Sequence, residues 1–184
     1  MILPITGYGH NSLRATTVEI TKDYEGLSTL IENMFETMYK SNGVGLAAPQ
    51  VDLAIRLFVI DTAPFEESTG EKGVKKVVIN PRIVEEFGDD FVFEEGCLSV
   101  PDIHENVVRK SKIRIQYYDE NFEYHDEEID GMQARVMQHE YDHLEGHTFI
   151  DRLSSLKKMV LKRRLNDIVE GRVHPAYKMK FAHK

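Results

Sequence analysis

The stretch Gln138-His139-Glu140-Tyr141-Asp142-His143-Leu144-Glu145-Gly146 constrains this chain more than any other, because it contains His-Glu-x-x-His. On a helix, His139 and His143 stand one turn apart on the same face. Two imidazoles so placed bind one metal ion, and Glu140 between them is angled towards a water on that metal. This is the arrangement of metal-assisted hydrolysis of amide-like bonds, with the glutamate as general base. The same spacing also occurs on solvated helices that hold no metal. Catalytic sites of this kind have three protein ligands and one open position, so the pair is one ligand short.

A chain of 184 residues is long enough for one domain with a real core. We therefore expect a single catalytic domain over 1–184, with the residues after about 171 as a C-terminal tail. Hydrophobic residues make up 41% and charged residues 29%, the balance of a soluble globular protein. A net charge of -8 argues against direct binding to DNA or to nucleic acid in general. Positive charge gathers late, in Lys157-Lys158 and Lys162-Arg163-Arg164. We read it first as a solvated helix face, with docking to an anionic partner such as the ribosome as the alternative. The single cysteine, Cys97, rules out an intramolecular disulfide and suits a reducing cytosol. Residues 1–7 have neither signal-peptide nor transit-peptide character, and no apolar run approaches a membrane span. The expectation is a cytoplasmic protein.

Along the chain, residues 1–22 read as an irregular arm with a short strand near Val18. Leu27, Leu30, Ile31, Met34, Phe35 and Met38 form one apolar stripe at helical period. Asp23 is expected to cap this helix and Ser41-Asn42-Gly43 to end it. The segment Gly43-Val44-Gly45-Leu46-Ala47-Ala48-Pro49-Gln50 fails as a dinucleotide loop, since no third glycine follows and a helix precedes it. It is either a tight connection or a place where backbone approaches a substrate closely. Strands are expected over 55–61, 76–80 and 82–87, the last two broken at Asn80-Pro81, with a turn at Gly88-Asp89-Asp90. A short strand at 91–93 leads to Cys97. A hairpin over 113–125, the His-Glu-x-x-His helix over about 131–145 and a basic helix over about 154–170 follow. The tail carries Pro175 and no clear period. The order suits an α+β fold, with mixed or antiparallel β-sheets packed around a central helix carrying His-Glu-x-x-His, and a C-terminal helix.

Four positions compete to supply the third ligand. A further histidine at 149 would complete one known zinc pattern, but that residue is Phe149. Glu170 would serve as a downstream carboxylate, without a local motif to support it. His147 is near in sequence but lies beyond the turn at Gly146. Cys97 follows a glycine at the end of a short strand that could present it to the helix. A thiolate with two neutral imidazoles makes a tetrahedral site suited to zinc or ferrous iron.

Three segments together resemble the bacterial peptide deformylase family. Its motifs Gly-x-Gly-Leu-Ala-Ala-x-Gln, Glu-Gly-Cys-Leu-Ser and Gln-His-Glu-x-Asp-His-Leu-x-Gly stand here at Gly43 to Gln50, Glu95 to Ser99 and Gln138 to Gly146, in that order. The resemblance implies Cys97, His139 and His143 as ligands of one divalent metal. That metal would be ferrous iron in the cell, with zinc, nickel or cobalt in purified protein. It implies removal of the N-formyl group from the formylmethionine of nascent polypeptides, releasing formate. Glu140 would act as base and then acid, and the Gln50 amide and Leu98 N–H would stabilise the oxyanion. The Gly45 backbone would pair with the peptide, and Val44, Phe93, Met132 and Val136 would line the methionine pocket. In resembling sequences an aspartate like Asp142 pairs with an arginine like Arg109, which would fix the cysteine loop against the helix. The competing classes are a metallopeptidase whose third ligand is not Cys97, and a non-enzymatic domain with a structural metal or none.

Overall fold

The structure, a computed structural model, describes residues 1–183; Lys184, the end of the expected tail, lies outside the described residues. In chain order the elements are β1 (Ile5–Thr6), α1 (Leu27–Lys40), β2 (Gly45–Ala47), β3 (Leu57–Asp61), α2 (Glu66–Thr69), β4 (Lys75–Cys97), β5 (Val100–Tyr118), β6 (Tyr124–Asp130), α3 (Gly131–Leu144), α4 (Ser155–Val169) and β7 (Met179–Lys180). An antiparallel five-stranded sheet runs in the order β2-β3-β4-β5-β6, and β1 pairs with β7 in a separate parallel ribbon. The architecture is α+β, as expected.

The long β4–β5 ladder corrects two sequence expectations. Asn80-Pro81 and Gly88-Asp89-Asp90 do not end strands. Both fall at register shifts within one ladder, between Ile79 and Arg82 and between Phe87 and Asp90. Asn80 adopts φ +49 and Gly88 φ +80, the left-handed backbone that a bulge demands. The Asn80 side chain is then free to bond both main-chain groups of Ile20, at 2.8 and 2.9 Å. Successive bulges bend the ladder so that one end lies beside β3 and the other carries Cys97. Asp23 does not cap α1. Gly26, at φ +73, stands at the N-cap without a side-chain bond, while Asn42 at φ +58 follows the C-cap Ser41. Val18 makes an isolated bridge to Ile55 rather than a strand.

Three apolar clusters pack these layers. Met34, Met38, Leu46 and Leu57 hold α1 against β2 and β3. Phe58, Ile113, Ile115 and Met137 hold α3 against the sheet. Val100, Ile103, Phe149 and Leu165 seal α4 against the outer end of β5. The His-Glu-x-x-His helix is α3, and ten of its fourteen residues are buried. Arg135, Gln138, Glu140, Asp142 and His143 are among them, so a polar helix is surrounded by protein and each of those groups must find a partner or a function. No helix among the described residues is long and apolar enough to cross a membrane.

Candidate active site

Cys97 ends β4, immediately before the two-residue turn Leu98-Ser99 into β5. This brings its sulfur to α3, 3.4 Å from His143 Nε2. One ligand atom each from Cys97, His139 and His143 lie within 4.8 Å of one another, and among the described residues this is the one group of three or more such side chains. His147 instead lies exposed with Nδ1 3.8 Å from Asp151, and Glu170 caps the end of α4.

Glu95 organises the surroundings. It precedes Cys97 by two residues on the same strand, so both side chains leave the same face. Its carboxylate accepts from Arg109 Nε at 2.6 Å and Nη2 at 3.0 Å, from Arg135 Nη1 at 2.8 Å and from His139 Nδ1 at 2.8 Å. Burial raises its pKa, but the bonds from His139 and Arg109 outweigh burial and hold the carboxyl well below its usual range. The bond at Nδ1 orients the His139 ring and leaves Nε2 for the cluster. Arg109 Nη1 also bonds Asp142 Oδ2 at 2.8 Å, and Asp142 accepts again from Arg152 at 2.6 and 2.8 Å. The Arg109–Asp142 pair therefore joins β5 to α3.

The donor set suits a metal ion. Burial raises the Cys97 thiol, but His143 and His139 outweigh it and bring the group down to about 5, so a thiolate is present at neutral pH. His139 is held well above its ordinary value; burial opposes this, and Cys97 and Glu95 cause it. A cation held by Cys97, His139 and His143 would take the place of that proton. His143 Nδ1 and Glu140 Oε2 are buried with no hydrogen-bond partner among the described residues. Burial pushes the Glu140 carboxyl up to about 7, against the pull of both imidazoles. A carboxylate in that state can move a proton.

Gln50 stands in a short 3₁₀ turn after β2, and its Oε1 accepts from Ala47 N at 2.8 Å. That fixes the amide with Nε2 directed at Cys97 Sγ (3.4 Å) and Ser99 Oγ (3.2 Å). Gly45, in β2, lies directly against Glu140: a Cβ there would stand 2.7 Å from Glu140 Cδ and 2.8 Å from Cγ, and nearer still to Oε1. A cavity of about 590 Å³ opens over these groups, the size of a site for a small peptide. Val44, Gly45, Gln50, Phe93, Leu98, Met132, Val136 and Glu140 all line it, together with Phe65 and Tyr177.

The sequence matches the model of the polypeptide deformylase family over residues 2–159. The chain belongs to that family. Peptide deformylases are metal-dependent hydrolases that take the N-formyl group off nascent chains. The peptide deformylase of Flavobacterium psychrophilum is 51% identical, with 100% of this chain and 99% of that protein covered. That of Cytophaga hutchinsonii is 48% identical over the whole of both chains. Among solved structures, a Legionella pneumophila peptide deformylase superimposes with a TM-score of 0.80 at 39% identity, covering 94% of this chain and 98% of that one. A plant peptide deformylase reaches 0.83 at 34% identity, covering 96% of each.

Around the deformylase motifs, several groups escaped the sequence reading. In the sequence Glu95 reads only as part of a motif, although its two-residue spacing from Cys97 marks it as facing the same way. Arg135 is one helical turn before His139 on the same face, a signal that was available. Its guanidinium lies 4.8 Å from the centre of the Phe91 ring and bonds the carbonyls of Phe91 and Val107. Arg152 and Glu71 carried no local signal. Glu71, in the loop after α2, accepts from Met132 N at 2.8 Å and so caps α3 from outside.

Proposed function

We propose that this chain deformylates formylmethionyl peptides of nascent chains with Cys97, His139 and His143 holding one divalent metal and Glu140 carrying the proton. The convergence of three ligand atoms beside the unpartnered Glu140 Oε2 is the observation that carries this reading. When bound, the metal supplies a Lewis acid that makes water nucleophilic near neutral pH. Glu140 takes the proton of the attacking water and returns it to the leaving amine. The Gln50 amide, held by Ala47, and the Leu98 N–H donate to the oxygen on which negative charge develops. β2 is the edge strand of the sheet, so an extended peptide can add beside Gly45 through main-chain bonds. The absence of a side chain at Gly45 keeps Glu140 in place. Val44, Phe93, Met132 and Val136 form the apolar wall that receives the methionine side chain.

The thiolate–imidazole set accommodates zinc and ferrous iron alike; membership of the deformylase family is what supports ferrous iron in the cell, with zinc, nickel or cobalt in purified protein. We read the chain as a single catalytic unit, and the lone cysteine suits the cytoplasm. A second role belongs to α4, where Leu156, Met159 and Val160 are exposed one turn apart (66%, 66% and 72%) among basic residues. That face supports docking to the ribosome. Three of its basic side chains, Lys157, Lys158 and Arg164, are already bonded to Glu105, Asp151 and Asp102. Met159→Glu should therefore weaken cosedimentation with ribosomes more than Lys157→Ala does.

The deciding test is formate release from formyl-Met-Ala by iron-loaded protein purified without oxygen, with Glu140→Ala as control. Release by the wild type, and none by a Glu140→Ala protein that keeps its metal, is the expected result. No release from metal-loaded wild-type protein overturns the proposal.

A further inference from the structure

The final stretch of the chain lies beyond residue 159, where the family match ends, yet it returns to the mouth of the cavity. From Val173 to Phe181 burial alternates: Val173, Pro175, Tyr177, Met179 and Phe181 are half-buried, and the residues between them are exposed. This is strand periodicity, and it corrects the expectation of an aperiodic tail. Ile5 N donates to Lys178 O and Gly7 N to Lys180 O, both at 2.9 Å, while Lys180 pairs with Asp52. Met179 and Phe181 lie against Gly7, and Val173 and Phe181 pack on the α4 cluster. The tail is thus docked on both sides of Tyr177 by backbone bonds and apolar contact.

Between those anchors the Tyr177 hydroxyl donates to the Leu98 carbonyl at 2.8 Å. Leu98 belongs to the two-residue turn that follows Cys97. The next carbonyl, of Ser99, accepts from Tyr8 N at 2.8 Å, and Ser99 Oγ accepts from Gln50 Nε2 at 3.2 Å. The planes carrying the Leu98 N–H and the Leu98 carbonyl meet at its Cα, and the pairing of Cys97 with Val100 closes the two-residue turn, so fixing one plane narrows the φ and ψ open to the other. Holding the Leu98 carbonyl limits the plane that carries the Leu98 N–H.

We propose that Tyr177 is a positioning residue: from a tail outside the matched core, its hydroxyl holds the Leu98 carbonyl and keeps the Leu98 N–H aimed at the reacting oxygen. The inference rests on the reading of Leu98 as an oxyanion donor. Tyr177→Phe removes only the hydroxyl and leaves the tail's ladder and packing intact. The kcat for formyl-Met-Ala falls roughly tenfold, with KM changed less than about twofold, because the lost alignment matters only as charge develops. Hydrogen exchange of the 97–100 segment speeds up, while that of β7 stays as it was. Lys178→Ala, an exposed side chain on the same tail, alters none of these.

An unchanged kcat, or a loss confined to KM, overturns the proposal. So does loss of protection along β7, which would make the hydroxyl merely an anchor of the tail. Should the wild type release no formate, the deformylase reading fails separately. The exchange measurement needs no turnover and still decides the matter: unaltered protection at 97–100 refutes the role of Tyr177, and faster exchange confined there upholds it.

Discussion

Gly45→Ala is a single methyl group placed against Glu140, the proposed proton carrier. Gly45 has ordinary strand backbone angles, so alanine introduces no main-chain strain and removes some freedom from the unfolded chain. The difficulty is spatial. The new Cβ would stand 2.7 Å from Glu140 Cδ, and the carboxyl group must retreat by about 0.7 Å to reach the 3.4 Å of ordinary contact. The backbone of α3 cannot supply that movement, because Met137 and Leu144 are locked in the core on one side and Asp142 is tied to Arg109 and Arg152 on the other. The side chain must rotate instead. A displacement on the order of 1 Å at a reacting group lowers rates about 10²-fold. We therefore expect kcat for formyl-Met-Ala to fall by roughly two orders of magnitude. Metal content should not change, since the proposed ligands Cys97, His139 and His143 are not touched. Thermal stability should fall by no more than a few degrees, because a tilted rotamer costs about 1 kcal/mol and the entropic gain of alanine opposes it. The assay is steady-state kinetics beside metal analysis of the same preparation. A Gly45→Ala protein with native kcat would refute the claim that this glycine holds Glu140 in place.

The remaining predictions concern the groups behind the site. Arg109→Ala leaves Glu95 and Asp142 buried with one cation fewer, and should destabilise the fold by about 3–5 kcal/mol in urea unfolding; a loss under 1 kcal/mol would mean the pair is solvated in practice. Burial raises the pKa of Asp142, but Arg152 and Arg109 outweigh it, so the folded value lies below the unfolded one. Its contribution is then complete above the unfolded value of about 4 and disappears as pH falls through the folded one. The stability gap between wild type and Asp142→Asn should accordingly narrow below about pH 4, and a gap independent of pH between 3 and 7 would count against the sign. Glu71→Gln weakens the cap on α3 and should lower Tm by about 2–4 °C, the equivalent of roughly 1 kcal/mol in a chain of this size.

How far the sequence shows the fold depends on which residues occupy the buried positions. The stripe of α1 is apolar, and its helix reads directly from the spacing of Leu27 to Met38. In β5 the buried face runs through Ile103, Val107, Arg109, Ile113, Ile115 and Tyr117, a strict period of two. Arg109 fills one of those slots and the half-buried Glu105 and Ser111 fill two more, so the alternation vanishes over 102–112 and only 113–118 reads as a strand. The bulges of β4 read as strand ends for a related reason. Asn-Pro and Gly-Asp-Asp are turn signals locally, and only the ladder on both sides, together with the bonds of Asn80 to Ile20, converts them into bends. Tertiary pairing overrode local chemistry in both places.

The site shows the opposite balance, since its reactive groups are legible and their division of labour is not. Glu95 and Glu140 are the same side chain, both buried beside the same imidazoles. Glu95 accepts four hydrogen bonds from Arg109, Arg135 and His139, and is held anionic far below neutral pH. Glu140 has an unpartnered Oε2 and is pushed up to about 7. A fully bonded carboxylate can orient a ring but has no reason to give up or take a proton. A buried carboxylate without donors is poised to do both, and a cation drawn into the neighbouring ligand cluster would pull it back towards the ionised form in which it acts as a base. The two roles therefore follow from the donors that the fold brings to each group. His139, one of those donors, stands in the motif itself, but Arg109 on β5 and Arg135 one turn earlier on α3 lie at spacings from either glutamate that carry no motif.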